Sequence, residues 1–166
     1  MSYPIAEDAV AQAFQNLGNE WALVAFGNEE KFNAMTISWG SLGFVWKRPI
    51  VTVLVRPTRY TYEFSEKFDR FSISFYDASY RNALSIMGTQ SGRDTDKVAL
   101  AGLTPVFVED VPAFKEARLT VVARTLYRGQ LEESGFRLPS MAEEFYPQKD
   151  FHILYHAEIL QTIGRL

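Results

Sequence analysis

In Ile50-Val51-Thr52-Val53-Leu54-Val55-Arg56-Pro57-Thr58-Arg59-Tyr60-Thr61, two different signals adjoin each other. The first half is a β-branched run that predicts a buried central strand. The second half places arginines beside hydroxyls, and Thr58 or Thr61 can begin a helix that runs to about Phe68. Arginines donate charge-assisted hydrogen bonds, and helix N-termini offer unpaired N–H groups. The stretch therefore predicts a strand that leads into a site for a phosphate-bearing ligand.

A second cationic segment, Ser91-Gly92-Arg93-Asp94-Thr95-Asp96-Lys97, follows downstream. Its Ser91-x-x-Asp94 pattern resembles a capping box ahead of a short helix that ends near Gly102. Neither this segment nor the first resembles a nucleotide-binding glycine loop. Because it too combines cations, hydroxyls and a helix start, this segment also suits a phosphate-bearing ligand.

Around these segments, periodicity predicts further strands and helices. Strands are expected over 20–27, 32–38, 71–75, 117–127 and 151–162, and helices over 4–18 and 80–88. Lys47-Arg48-Pro49 is expected to interrupt the chain before the strand at 50–55. Residues 131–150, which contain one glycine and two prolines, are predicted to form an excursion from the barrel. Many strands with few helices favour a closed or partly closed barrel, in one domain over 1–166, over a parallel α/β sheet.

Composition narrows the possible chemistry. The net charge is −3 and the basic residues are scattered, so the electrostatic footprint of nucleic-acid binding is missing. The lack of cysteine excludes disulfides, thiolate catalysis and cysteine-ligated iron–sulfur clusters, which leaves organic cofactors or metals with oxygen and nitrogen ligands for redox chemistry. We see no signal-peptide pattern and no apolar run near the roughly 18–20 residues of a membrane span, and we expect a cytoplasmic protein without membrane contact.

The two cationic segments belong to a set of five. The set is Asn33-Ala-Met-Thr-Ile-Ser-Trp39, Lys47-Arg-Pro49, Arg56-Pro-Thr-Arg-Tyr-Thr61, Ser91-Gly-Arg-Asp-Thr-Asp-Lys97 and Gly102-Leu-Thr-Pro105. In order and spacing the set resembles the flavin reductase-like family of FMN-binding split barrels, which includes flavoredoxins and the reductase components of two-component monooxygenases. The resemblance implies a mainly β fold with flanking helices (a β-barrel of the α+β class), and a homodimer with flavin at the subunit interface.

The resemblance also implies where FMN binds. The phosphate is expected at Arg59, Thr61, Ser91 and Lys97, with Arg56 nearby. The strand at 33–39 is expected to lie along the flavin, with Thr36 and Ser38 as side-chain contacts. The expected cofactor-binding set is Asn33, Met35, Thr36, Ile37, Ser38, Trp39, Arg56, Pro57, Arg59, Tyr60, Thr61, Ser91, Gly92, Lys97 and His152.

Each part of this set has a purely structural alternative. Single arginines and lysines are usually solvated surface charges, although loops that follow a buried strand build sites more often than other segments do. Met35, Ile37 and Trp39 alternate with Thr36 and Ser38, which is also the pattern of a strand that packs on one face. Without the family pattern, the strand at 33–39 would carry no functional prediction.

The two histidines, His152 and His156, share a strand face with Glu158, which invites comparison with a metal site. At roughly 3.3 Å per residue the three positions span too far along a straight strand to chelate one ion. Family members carry Gly-Asp-His near this point, in a segment associated with flavin and nicotinamide. Here Asp150-Phe151-His152 has an extra residue, so a cofactor role and a structural role for His152 stay open.

The resemblance favours an FMN-dependent oxidoreductase that passes hydride from NADH or NADPH to flavin, for the benefit of a partner oxygenase or electron-transfer protein. The chemistry then belongs to the flavin, and no general acid or base is expected from the protein. Two alternatives remain: a flavoredoxin-like electron carrier without direct NAD(P)H use, and a non-catalytic flavin-binding or storage protein. A barrel that binds haem instead is disfavoured by the phosphate cluster.

Overall fold

The structure is a computed structural model that describes residues 15–165. The strands are β1 (Ala22–Gly27), β2 (Phe32–Ile37), β3 (Gly40–Val45), β4 (Arg48–Val55), β5 (Arg70–Phe75), β6 (Pro105–Val108), β7 (Val111–Phe114), β8 (Leu119–Gln130) and β9 (Ile153–Gly164). The helices are α1 (Tyr60–Ser65), α2 (Arg81–Thr89), α3 (Lys97–Leu100) and α4 (Pro139–Phe145). Residues 4–14 of the predicted first helix lie outside the described residues, and Gln15–Asn19 form a π-helical turn.

Seven strands form one antiparallel sheet in the order β2-β1-β5-β8-β9-β4-β3. The long strands β8 and β9 lie near its centre and pair along most of their length, with two register shifts. Met35 and Ile37 of β2 share a core cluster with Val51 and Val53 of β4, although these strands lie near opposite edges of the sheet. The sheet therefore curls around one core, and the predicted mainly β architecture with flanking helices is confirmed.

A second core cluster lies on the outer face of β1 and β2. Leu23 and Ala25 of β1, whose side chains point away from the barrel interior, pack with Leu84 and Met87 of α2. This explains why β1 is buried at every position. The cluster also fixes α2 against β2, which is the strand expected to lie along the ligand.

The hairpin of β3 and β4 departs from the sequence prediction. Lys47-Arg48-Pro49 does not break the chain: Trp46 and Lys47 form a two-residue turn with φ of 52° and 59°, and Arg48 and Pro49 begin β4. Such a turn requires positive φ at both positions, and the usual Asn-Gly signature is missing here. The strand at 50–55 was predicted correctly but begins two residues earlier, and β3 was not predicted.

The predicted capping box at Ser91 is wrong. The cap of α3 is Asp96, whose carboxylate accepts a hydrogen bond from the Ala99 N–H at 3.1 Å. The Ser91 hydroxyl instead accepts from the Arg93 N–H at 3.2 Å, which closes a local turn. The first short helix was predicted to reach about residue 68, but α1 ends at Ser65.

Candidate functional site

A cavity of about 220 Å³ lies where the C-terminal ends of β2 and β4 approach the start of β9. We call it the Arg59 cavity. It is lined by Met35, Thr36, Ile37, Ser38, Trp39, Leu54, Arg56, Arg59 and His152. Every lining residue except Leu54 was predicted from the sequence as part of the cofactor site. The structure thus brings together three segments that are far apart in the chain.

The alternation along β2 divides its side chains between the core and the site. Met35 and Ile37 are buried in the barrel core. Thr36 points to the opposite side, where its hydroxyl donates a hydrogen bond of 2.5 Å to the Leu84 carbonyl of α2. Thr36 thereby joins β2 to α2, and its oxygen keeps lone pairs for a further donor. Ser38 and Trp39 follow the end of β2 and extend the cavity wall.

Arg59 and Lys97 both bind the carbonyl end of α2. The Arg59 guanidinium donates to the Gly88 carbonyl at 2.6 Å. The Lys97 ammonium donates to the carbonyls of Met87 and Gln90 at 3.1 and 3.3 Å. The C-terminal end of a helix carries a partial negative charge, so two cations are stabilising at this position.

Burial has electrostatic consequences for both cations. Lys97 is only 4% exposed, and burial, followed by repulsion from Arg59, lowers its pKa to about 8. Burial also lowers the pKa of Arg59 from its ordinary value. Arg59 reaches the Arg59 cavity, whereas the Lys97 side chain faces the carbonyls of the α2 terminus. Of the two, Arg59 is the better placed to meet an anion in that cavity.

A second cavity of about 580 Å³, the Lys97 cavity, lies along the 92–99 segment. It is lined by Phe32, Asn33, Gly92, Arg93, Asp94, Thr95, Asp96, Lys97, Val98, Ala99, Leu103 and Pro105. Three predicted site residues, Asn33, Gly92 and Lys97, therefore lie along this cavity and do not line the first.

A buried polar contact joins β2, α1 and the 91–97 segment. The Asn33 amide donates to the Thr61 hydroxyl at 2.7 Å, and Thr61 is only 1% exposed. Gly92 packs so close to Asn33 that a Cβ at this position would collide with its Oδ1 atom. Glycine is required at position 92 because its backbone packs directly against Asn33. Thr61 has a structural role, since its hydroxyl holds Asn33 in place.

The remaining predicted residues lie in the same region without lining either cavity. The Tyr60 ring packs edge-on against Phe64 and lies under the Arg93 guanidinium at 4.8 Å. Ser91 is partly buried in its turn, and Pro57 lies in the turn between β4 and α1. These residues shape the loops around Arg59.

His152 lines the Arg59 cavity as a neutral side chain. It is 8% exposed, and its Nδ1 lies 2.7 Å from the Tyr146 hydroxyl. Burial, followed by repulsion from Arg56, lowers the pKa of His152 to about 4. Its ring centroid lies 5.2 Å from that of Trp39. His152 is thus an uncharged wall residue near pH 7.

The second histidine belongs to a different surface. His156 Nδ1 lies 2.7 Å from the Thr52 hydroxyl, and its ring is near those of Trp46 and Tyr127. Over residues 15–165, no three His, Cys, Asp or Glu side chains are grouped so that they could hold a metal ion.

The partners of Arg56 could not be identified from the sequence. It donates to Asp150 Oδ2 at 2.6 Å and to the Phe145 carbonyl at 2.9 Å, and it lies 5.1 Å from the centre of the Tyr146 ring. Phe145, Tyr146 and Asp150 lie in the 131–150 segment, for which the sequence predicted no role beyond an excursion. A spacing of 94 residues between Arg56 and Asp150 leaves no local signal for their contact.

The fold and the cavity together define the class of protein: it is a mainly β split barrel with a cationic cavity at the ends of β2 and β4. The chain belongs to the flavin reductase-like family, because the model of the flavin reductase like domain matches residues 14–155. No curated protein sequence matches the chain. In the described part of the chain, no helix is both long enough and apolar enough to cross a membrane.

Solved structures share the fold at low sequence identity. A flavoredoxin from Methanosarcina acetivorans is 22% identical with a TM-score of 0.67, over 87% of this chain and 68% of that one. An FMN-binding protein from Thermus thermophilus is 20% identical with a TM-score of 0.70, over 99% and 81%. The styrene monooxygenase flavin reductase from Pseudomonas putida S12 is 16% identical with a TM-score of 0.63, over 87% and 79%.

Proposed function

We propose that this protein binds FMN non-covalently in the Arg59 cavity and acts as an NAD(P)H-dependent oxidoreductase. The observation that carries the proposal is the position of Arg59, whose guanidinium lines a cavity walled on another side by the 35–39 segment. Membership of the flavin reductase-like family supports a flavin as the ligand. The geometry supplies a charged end and a wall of mixed polar and apolar residues, which suits a flavin phosphate and a ring with a polar edge.

The phosphate end of the site fits an anion. A guanidinium carries five N–H donors, and the hydrogen bond of Arg59 to Gly88 uses one of them. The remaining donors can bind phosphate oxygens with charge assistance. Lys97 binds carbonyls at the same C-terminal end of α2, so the positive charge there does not depend on Arg59 alone. Ser91, in the turn after α2, stays a candidate hydroxyl for the phosphate, although it lines neither cavity.

The ring end of the site fits a flat, partly apolar ligand. Leu54, Trp39 and the uncharged His152 line the cavity. β2 is an edge strand of the seven-stranded sheet, so one edge of its backbone has no strand partner within the described sheet. N–H and C=O groups of the 35–39 segment are therefore suited to bind the polar edge of a flavin ring.

Bound FMN would supply the redox chemistry by accepting hydride from NADH or NADPH. The residues of this chain contribute binding and orientation: Arg59 offsets the phosphate charge, and Trp39 and Leu54 exclude water. His152 adds no positive charge near neutral pH because burial keeps its pKa near 4. We assign no side chain as a general acid or base. An oxygenase or an electron-transfer protein would be the acceptor of the electrons.

The proposal includes a homodimer. At about 220 Å³ the cavity is smaller than the roughly 300–1,000 Å³ of typical ligand pockets, so part of a bound flavin would extend beyond it. Phe44, Val45 and Trp46 of the β3–β4 hairpin are exposed, as is Tyr127 of β8. Exposed apolar groups of this kind are typical of an interface, and a second copy would cover them and the flavin. Light scattering should give about twice the 18.9 kDa chain mass, and a clean monomer would contradict this part of the proposal.

An anaerobic visible spectrum of the FMN-loaded protein, before and after NADH and then NADPH, tests the proposed activity. We expect the flavin bands to bleach with one of the two donors. Bound flavin that stays oxidised with both would contradict NAD(P)H use and favour a flavoredoxin-like carrier or a storage protein. A protein that binds no flavin would contradict the proposal as a whole.

A further inference from the structure

We propose that Arg56 is a positioning residue that holds the 139–150 segment against the Arg59 cavity, and that it does not bind the flavin phosphate. The expected effect on catalysis rests on the proposed function. The claim that Arg56 holds the 139–150 segment does not depend on it. Arg56 follows β4 directly, and the family resemblance predicted that it lies near the phosphate. The structure shows three partners for it, and all three lie in the 139–150 segment.

The contacts of Arg56 occupy both of its terminal nitrogens. One nitrogen donates to the Asp150 carboxylate at 2.6 Å and the other to the Phe145 carbonyl at 2.9 Å. The planar guanidinium also lies over the Tyr146 ring at 5.1 Å, within the range of cation–π attraction. These contacts fix the guanidinium against the segment, and Asp150 balances its charge, whereas Arg59 forms no ion pair with a carboxylate of the described residues.

Asp150 depends on this pairing in turn. Its side chain is 17% exposed, and its second oxygen, Oδ1, is buried without a hydrogen-bond partner among the described residues. Removing Arg56 would therefore leave a poorly solvated carboxylate without its counter-ion, which strongly favours movement of the segment. Neither Arg59 nor Lys97 appears among the partners of Asp150, so no other cation of the phosphate cluster replaces Arg56.

The segment that Arg56 holds supports one wall of the cavity. The Phe145 ring packs edge-on against Trp39 at 5.6 Å, and the Tyr146 hydroxyl lies 2.7 Å from His152. Trp39 and His152 line the Arg59 cavity, whereas Phe145 and Tyr146 lie behind them. We call these four residues the aromatic wall. Arg56 thus acts on the shape of the cavity through the aromatic wall, whose Trp39 and His152 line the ring end of the proposed flavin site.

Hydrogen–deuterium exchange of the ligand-free protein tests the structural part. Arg56→Met, Asp150→Asn and the double variant should each raise exchange over 139–150 by at least about tenfold, the lower end of the range expected for loss of a hydrogen bond to a charged group. The double variant should add little beyond Arg56→Met, because Arg56→Met already removes the contact with Asp150 together with those to Phe145 and Tyr146. Glu133→Gln is the matched control: it removes the exposed ion pair with Lys149 at 2.9 Å in the same segment and should leave exchange unchanged.

Ligand affinities test the functional part. Arg56→Met should raise the KM for the nicotinamide donor several-fold, with kcat changed less, because the aromatic wall borders the flavin ring that the donor must reach. FMN and riboflavin affinities should fall by the same factor, since the ring end is shared by both ligands and no phosphate contact is lost. Asp150→Asn should reproduce the change in KM, which a phosphate ligand would not require.

Two results would overturn the inference. One is unchanged exchange over 139–150 in Arg56→Met. The other is a tenfold loss of FMN affinity in Arg56→Met with riboflavin affinity intact, which would make Arg56 a phosphate ligand. If the wild-type protein binds no flavin, the proposed function fails, and the exchange experiment still decides whether Arg56 holds the segment.

Discussion

Lowering the pH from 7.5 to 5 should destabilise the fold by about 2 kcal/mol through His152. An unfolded histidine has a pKa near 6.5, and burial in the aromatic wall lowers the folded pKa to about 4. The unfolded state therefore binds a proton more readily than the folded state between these values, so stability is lost as pH falls. Above about pH 6.5 the contribution is fully present, and at pH 5 most of it is lost.

Urea denaturation of the wild type and of His152→Asn at both pH values measures this effect. The asparagine amide can reach the Tyr146 hydroxyl from the position of Nδ1, so the comparison removes the titration and keeps a polar partner. The free-energy difference between pH 7.5 and 5 should be smaller by about 2 kcal/mol in the variant. Tyr146→Phe should keep the pH dependence of the wild type, because burial is the main cause of the low pKa. An equal pH dependence in His152→Asn and the wild type would refute the reasoning.

Two further predictions concern the frame of the site. Gly92→Ala should lower the free energy of unfolding by about 1–3 kcal/mol, because the new Cβ displaces Asn33 from Thr61. The control is Gly43→Ala, where a Cβ has open space and should change the free energy of unfolding by less than about 0.5 kcal/mol. Thr36→Val should cost about 1 kcal/mol by removing the donor to Leu84, and Thr36→Ser should retain most of the stability. Thermal or urea unfolding of each pair measures these differences, and equal stability within a pair would contradict the contact assigned to it.

The sequence predicted those parts of the fold whose signals are local. The β-branched run at 50–55 and the alternating run at 71–75 are strands, and α2 occupies the predicted helix at 80–88 with a shift of one residue. β3 was missed because the turn that creates it is formed by Trp46 and Lys47, which carry no turn signature. β6 and β7 were missed because each has only four residues, joined by Glu109 and Asp110 at positive φ.

In the candidate site, too, the local signals were predicted and the long-range contacts were not. The 35–39 and 56–59 segments were selected by their residue types, and the fold brings both to one cavity. The partners of the cations were not predictable, since they depend on long-range packing. No local pattern shows that Lys97 faces the carbonyls of α2, or that Arg56 pairs with Asp150. The charge state of His152 was not predictable either, because it depends on burial in the folded chain.

The most direct test of the central claim is a fluorescence titration of FMN and riboflavin into the wild type and Arg59→Met. The wild type should bind FMN more tightly than riboflavin, and Arg59→Met should lose about 1.5–3 kcal/mol of FMN affinity, the range for a hydrogen bond to a charged group. Riboflavin affinity should stay nearly unchanged, which also shows that loss of the contact to Gly88 has not distorted the site. Equal affinity of the wild type for FMN and riboflavin would contradict the account.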